Sequence, residues 1–246
     1  MNSDRARSVA IGTVKGLLRR YGYELKRAAD LASEPDQRGE FPVDFGQEII
    51  ETVRTVAPYT MTSPERIFAL CDAVRYVVAA NVPGDIVECG VGRGGSIMAV
   101  ARTLIRIGDL TRICHLYDTF EGMTQPTEVD VDFAGVSALD QWKENRFGRW
   151  NSPARAAIDE VCEAVWSTGY DKNKFRFVKG RVEDTLPAQA PDTISLLRLD
   201  TDWYESTRHE LVHLYPRLSR GGVLIIDDYG HYAGARKGSR RVPDRE

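Results

Sequence analysis

Residues 86–96 read Ile-Val-Glu-Cys-Gly-Val-Gly-Arg-Gly-Gly-Ser. A short apolar run gives way to glycines spaced GxGxxG (Gly90, Gly92, Gly95), and Ile97, Val100, Ala101, Leu104 and Ile105 then recur at helical steps. Strand, glycine turn and helix together open a βαβ unit. The rest of the chain keeps the alternation. A second strand, 115–117, ends at Asp118, and a third covers 175–178 after a helix with Ile158, Val161, Cys162 and Val165 on one face. A fourth, 194–199, ends at Asp200, and a fifth, 222–226, ends at Asp227-Asp228. Short apolar strands alternating with helices predict an α/β fold of Rossmann-like type, a mostly parallel sheet with helices on both faces.

Two helices are expected upstream. Ile49, Ile50, Val53 and Val56 mark one, and Ser63-Pro64 supplies a cap and a first-turn proline for another carrying Ile67, Leu70, Cys71, Val74, Val77 and Val78. Residues 1–82 therefore read as a helical extension, 83–237 as the main domain, and 238–246 as a disordered tail. Residues 1–27 carry seven basic side chains on a helix-compatible apolar pattern. Such a stretch packs on its own domain or a partner subunit, or lies on a membrane surface. Residues 119–153, long and rich in Asp, Glu, Trp and Phe, leave the carboxyl edge of the sheet, so they read as a lid or substrate wall, or else as a surface insertion.

Composition excludes several classes. The net charge of -3 provides no positive field for a phosphate backbone, which argues against nucleic acid as a partner. No apolar run approaches the roughly 18 residues of a membrane span, and Cys71, Cys89, Cys114 and Cys162 sit apart in apolar stretches as packing thiols. The expectation is a cytoplasmic protein.

The glycine turn at Gly90, Gly92, Gly95 and Ser96 suits a nucleoside cofactor, because absent side chains let the backbone turn tightly and approach a ligand. Asp118, 28 residues past Gly90, ends the next strand, where a carboxylate can accept both hydrogen bonds of a ribose diol. Glu88, two residues before the first glycine, has two readings. It meets the cationic amino-acid end of S-adenosylmethionine, or it is a buried carboxylate paired with Arg or Lys. A nicotinamide cofactor would need a hydride-transfer partner and a pyrophosphate contact. At the other strand ends, Asp200, Asp227 and Asp228 converge if the fourth and fifth strands are neighbours, about 5 Å apart. Three anions in one place call for a hard divalent cation, Mg²⁺, Mn²⁺ or Ca²⁺, unless these aspartates merely cap turns. For proton removal from an attacking hydroxyl, Asp202 is the first candidate and His231 the second. His209 and His213 read as helix-surface residues.

With these residues assembled, the chain resembles the TylF/MycF family, the macrocin and mycinamicin sugar O-methyltransferases of macrolide and related antibiotic pathways. Five ordered blocks carry the likeness: 83–90 with 93–96, Asp118-Thr119-Phe120-Glu121-Gly122-Met123, Asp184-Thr185-Leu186-Pro187, Leu197-Arg198-Leu199-Asp200-Thr201-Asp202-Trp203-Tyr204-Glu205-Ser206-Thr207, and Ile226-Asp227-Asp228-Tyr229-Gly230. The resemblance implies a class I methyltransferase fold, S-adenosylmethionine with Mg²⁺ (or Mn²⁺), methyl transfer to a hydroxyl of a sugar already attached to a scaffold, and a homo-oligomer. It implies Asp200, Asp227 and Asp228 as ligands, Asp202 as base, Asp118 at the ribose and Asp184 near the adenine beside Glu183. Thr201 and Trp203 stand where the family often has Gly and Met. The family continues past the equivalent of Lys237 through a helix and two more strands, so the sheet of this chain is expected to lack its C-terminal strands. The rival readings are a catechol-type O-methyltransferase, a cofactor-binding module with little turnover and a nicotinamide dehydrogenase.

Overall fold

The computed structural model describes residues 41–144 and 155–239. The chain divides into two units, Met1–Asp44 and Phe45–Glu246, and the helices that start at Gln47 and Pro64 lie in the same unit as the sheet. The expected basic N-terminal helix lies outside the described residues, as do residues 145–154 of the insertion and 240–246 of the tail.

The second unit begins with α1 (Gln47–Val56), which buries Ile49, Val53 and Val56 along one face. α2 (Pro64–Ala79) follows, started by the Ser63 hydroxyl accepting from the Arg66 amide, with Pro64 in the first turn. Both features follow from sequence: a hydroxyl satisfies one of the free amides of a helix start, and proline has no amide to waste there. Five strands then alternate with helices. They are β1 (Asp85–Cys89), β2 (Cys114–Asp118), β3 (Phe175–Lys179), β4 (Ile194–Leu199) and β5 (Leu218–Ile226). The helices between and after them are α3 (Gly95–Ile107), α4 (Ala138–Lys143), α5 (Ile158–Trp166), α6 (Val182–Thr185), α7 (Tyr204–Leu214) and α8 (Ala233–Ser239). The last carries Gly238 and Ser239, placed in the tail by sequence, into a helix.

All four pairings are parallel and the order is β3-β2-β1-β4-β5. The chain runs outward from β1 to β3, then returns to the far side of β1 for β4. That reversal opens a crevice beyond the carboxyl ends of β1 and β4, where open α/β sheets bind ligands. Side chains alternate faces along each strand. Val87, Cys89, Leu197 and Leu199 face one way, into a buried cluster with Leu211, Leu214 and Leu218. Glu88 and Arg198, directly opposite each other in register, share the other face. β5 forms one edge of the described sheet, and its Val223–Ile226 portion stays half-buried. It starts four residues earlier than expected because extra residues between Leu218 and Val223 bulge out of register with β4.

Candidate functional site

One cleft opens at the crevice. Its wall includes the Gly90–Arg93 turn after β1, Asp118 after β2, Gly180 after β3, Asp200 to Trp203 after β4, and Asp227 and Asp228 after β5. Two sides of this wall differ in character.

On the glycine side, each missing side chain has its own steric reason. Gly90 sits at φ +83°, and a Cβ there would collide with the Asp200 carbonyl, so this glycine lets the β1 and β4 ends cross closely. A Cβ on Gly95 would stand 2.6 Å from Thr60 and 2.7 Å from the Tyr59 backbone, so Gly95 lets the Tyr59–Thr60 segment lie over the start of α3. Gly92, at φ +54°, faces open space and is the one of the three whose bare backbone can receive a ligand. Ser96, 5% exposed, lines the cleft in the first turn of α3. Asp118 closes the loop. Its Oδ2 accepts from the Val91 and Gly92 amides at 2.8 and 2.9 Å, and its Oδ1 accepts from the Phe120 amide at 2.7 Å. The carboxylate expected to take a ribose diol thus has most of its acceptor capacity already engaged by the turn.

The acid side is crowded. Asp200, Asp227 and Asp228 each place a carboxylate oxygen within 4.8 Å of the others. Beneath them lies Arg198, whose guanidinium bonds Glu88 Oε1 at 2.7 Å, Asp200 Oδ2 at 2.8 Å and Asp227 Oδ1 at 3.2 Å. Above, Arg66 reaches Asp227 Oδ2 at 3.0 Å, and the Thr62 hydroxyl donates to the same oxygen at 3.3 Å. Burial works against the charge on Arg198, but Asp200, Glu88 and Asp227 together hold it protonated. Burial pushes the Asp200 carboxyl well above its ordinary range, Arg198 opposes this, and Asp227 and Asp228 add to it. Asp202 is raised for the same first reason, with Asp228 and Asp200 as its repelling neighbours. Asp228 Oδ2 is buried with no hydrogen-bond partner among the described residues. One guanidinium with a half-exposed second cation leaves this all-oxygen set short of positive charge. Those are the terms on which a hard divalent cation binds.

The remaining expected residues lie elsewhere. Glu88 is not in the cleft wall: it is 2% exposed and paired with Arg198 across the β1–β4 register, which realises the buried ion-pair alternative. Burial, outweighing Arg198, pushes its carboxyl up to about 7. Asp184 is exposed and outside the wall, because the single turn of α6 aims the preceding residue, Glu183, into the cleft instead. His231 is likewise outside it, packed between Phe133 and Tyr232 at 5.5 and 4.5 Å between ring centroids. Asp202 does line the cleft, with a left-handed backbone at φ +65°. Sequence reasoning missed Arg198, although a lone charge inside the apolar run Ile-Ser-Leu-Leu-Arg-Leu is a signal that a buried counterion is needed. It also missed the Tyr59–Thr62 segment and Arg66, which line the same cleft and carry no motif of their own.

The macrocin-O-methyltransferase (TylF) family profile matches residues 36–243. This chain belongs to that family. It is 38% identical over 171 residues to the 8-demethyl-8-(2,3-dimethoxy-alpha-L-rhamnosyl)-tetracenomycin-C 4'-O-methyltransferase of Streptomyces olivaceus, covering 70% of this chain and 62% of the relative. It is 35% identical over 172 residues to the demethyldecarbamoylnovobiocin O-methyltransferase of Streptomyces niveus, again covering 70% and 62%. The match thus spans under two thirds of the length of these two relatives. Among solved structures, the O-methyltransferase NovP matches at a TM-score of 0.63 and 33% identity, over 74% of this chain and 72% of that one. A calicheamicin methyltransferase, CalS11, matches at a TM-score of 0.57 and 18% identity, over 85% and 89%, and supports the fold alone. The fold is the Rossmann-like class I methyltransferase fold. Among the described residues, no helix is long and apolar enough to cross a membrane.

Proposed function

We propose that this protein transfers a methyl group from S-adenosylmethionine to a hydroxyl of a glycosylated small molecule, with Mg²⁺ or Mn²⁺ held by Asp200, Asp227 and Asp228. The observation that carries the reading is the meeting, in one cleft, of three converging carboxylates and a glycine turn with an open backbone face. One relative is named for O-methyl transfer to a rhamnosyl-bearing tetracenomycin, and another for O-methyl transfer to mycinamicin III.

The residues that would hold the donor are Gly92, Ser96, Glu183 and the Tyr59–Thr62 segment, with Asp118 fixing the loop beneath it. The residues that would hold the metal offer only carboxylate oxygens, including the unpartnered Asp228 Oδ2. A divalent cation there neutralises crowded anions and makes a neighbouring hydroxyl more acidic. Asp202 stands beside this set and is the base. Burial and the nearby carboxylates raise its proton affinity, which suits a group that must take a proton from an alcohol. Arg198 keeps Asp200 and Asp227 oriented from below, and Arg66 holds Asp227 from the cleft mouth.

The test is methyl transfer from labelled S-adenosylmethionine to a panel of glycosylated acceptors, with and without EDTA, for the parent and for Asp227→Ala and Asp228→Ala. Transfer should require the metal, and either substitution should lower it by about two orders of magnitude or more. Transfer that survives EDTA and both substitutions would end the metal assignment. Cofactor binding with no transfer in saturating Mg²⁺ would replace catalysis by a binding role.

A further inference from the structure

Thr201 separates the proposed ligand Asp200 from the proposed base Asp202, and its surroundings are unusual. The Trp203 amide donates to the Thr201 carbonyl at 2.7 Å, closing a three-residue turn with Asp202 at its centre at φ +65°. A γ-turn with positive φ is the rarer and more strained kind. Outside glycine such a conformation costs about 1–3 kcal/mol and persists only where neighbours overdetermine it.

Both flanks are tied down. The Asp200 amide donates to the Cys89 carbonyl at 2.8 Å, and the Trp203 indole donates to the Thr124 carbonyl at 2.9 Å. The middle is tied by two side chains, and one is Ser206, whose hydroxyl donates to the Thr201 and Trp203 carbonyls at 3.4 and 3.2 Å. The Thr201 hydroxyl lies 2.9 and 3.2 Å from the two carboxyl oxygens of Glu210, on the second turn of α7. Glu210 is fully buried and outside the cleft wall, beside core residues Leu211 and Leu214. Burial raises its proton affinity, and the charged residues acting on it, Glu183 and Asp200, are anionic. Among the described residues no ion pair accounts for a carboxyl here, and an apolar side chain would suit the core better. Among the described residues its one hydrogen-bond partner is Thr201.

We propose that Glu210 is a positioning residue, whose hydrogen bond to Thr201 locks the strained turn that aims Asp202 into the cleft. This rests on the reading of Asp202 as the base. Thr201→Val keeps shape and removes the hydroxyl, Thr201→Ser keeps the hydroxyl, and Glu210→Gln keeps an acceptor oxygen. With the full-length protein in Mg²⁺, Thr201→Val should lower kcat by about ten- to a hundredfold, as misplacement of a reacting group does, with acceptor KM and thermal midpoint little changed. Hydrogen exchange at the Trp203 amide should quicken by about tenfold. Thr201→Ser should recover most of both losses, and Glu210→Gln should stay near the parent in kcat and Trp203 exchange. On an Asp202→Asn background, Thr201→Val should cost nothing more. Unchanged kcat and unchanged Trp203 exchange in Thr201→Val overturn the proposal, as does a full multiplicative loss in the double variant. If Asp202→Asn alone retains parental kcat, the base assignment fails, while Trp203 exchange in Thr201→Val still decides whether the clamp holds the turn.

Discussion

The two sides of the cleft solve opposite problems. The glycine side is settled without a ligand: Asp118 satisfies the turn's amides, and Gly90 and Gly95 are spaces already filled by Asp200 and by Tyr59–Thr60. The acid side is unsettled without one. Asp200, Asp227 and Asp228 crowd together, Asp228 Oδ2 has no hydrogen-bond partner among the described residues, and the backbone of Asp202 is left-handed. One side stores shape and the other stores charge. A ligand on the first must fit a surface that is already made, whereas a ligand on the second relieves repulsion that the fold has accumulated.

The sharpest way to break this contrast is to remove the one deeply buried cation from the acid side. Arg198→Met keeps most of the volume but leaves Glu88 buried and unpaired, with Asp200 and Asp227 unopposed from below. Breaking a buried pair in this way costs about 3–5 kcal/mol, and urea unfolding in EDTA should show a loss of that size. Adding Glu88→Gln should return part of it, because a neutral amide no longer carries a buried charge. Arg198→Met with parental stability would mean the acid side does not depend on its guanidinium. On the glycine side, substitution at the open position is expected to cost less. Gly92→Ala meets no neighbour, so its cost is the left-handed backbone alone, about 1–2 kcal/mol. Its added methyl occupies the open face, and calorimetric titration should show weakened S-adenosylmethionine binding. Unaltered binding would move the donor away from this turn.

The same contrast explains which features were legible in the sequence. Strand, glycine turn and helix at 86–107, the terminal aspartates of β2, β4 and β5, and the Ser63-Pro64 start of α2 are local patterns, and each formed where its residues predict. The convergence of Asp200 with Asp227 followed once β4 and β5 were taken as neighbours, which they are. What was not legible depended on register and rotation. Glu88 meets Arg198 because residues 88 and 198 are level across β1 and β4 and face the same way, and no motif encodes that alignment. Glu183 rather than Asp184 faces the cleft through a rotation of one residue in a helix of four. Asp118 turned to the loop amides because they lie within hydrogen-bond reach of it. The division at Asp44–Phe45 could not be read either, since α1 and α2 look alike on paper whether they form an extension or cover a sheet.

The smallest expected effect separates the two sides by pH. Burial raises the Glu210 carboxyl above its ordinary value, with the Thr201 hydrogen bond working the other way. A raised acid holds its proton in the folded chain where the unfolded chain has released it. Its contribution to stability is therefore fully present below the ordinary glutamate value of about 4.3 and is lost as pH climbs through the folded value. Glu210→Gln has no proton to lose, so its stability relative to the parent should improve as pH rises from 5 to 7, read from urea midpoints in EDTA. The Gly92→Ala deficit, being steric, should stay level over the same range. A flat Glu210→Gln difference would show that this carboxyl ionises as easily folded as unfolded, and the stored charge would then end at the cleft surface rather than reaching the core beneath α7.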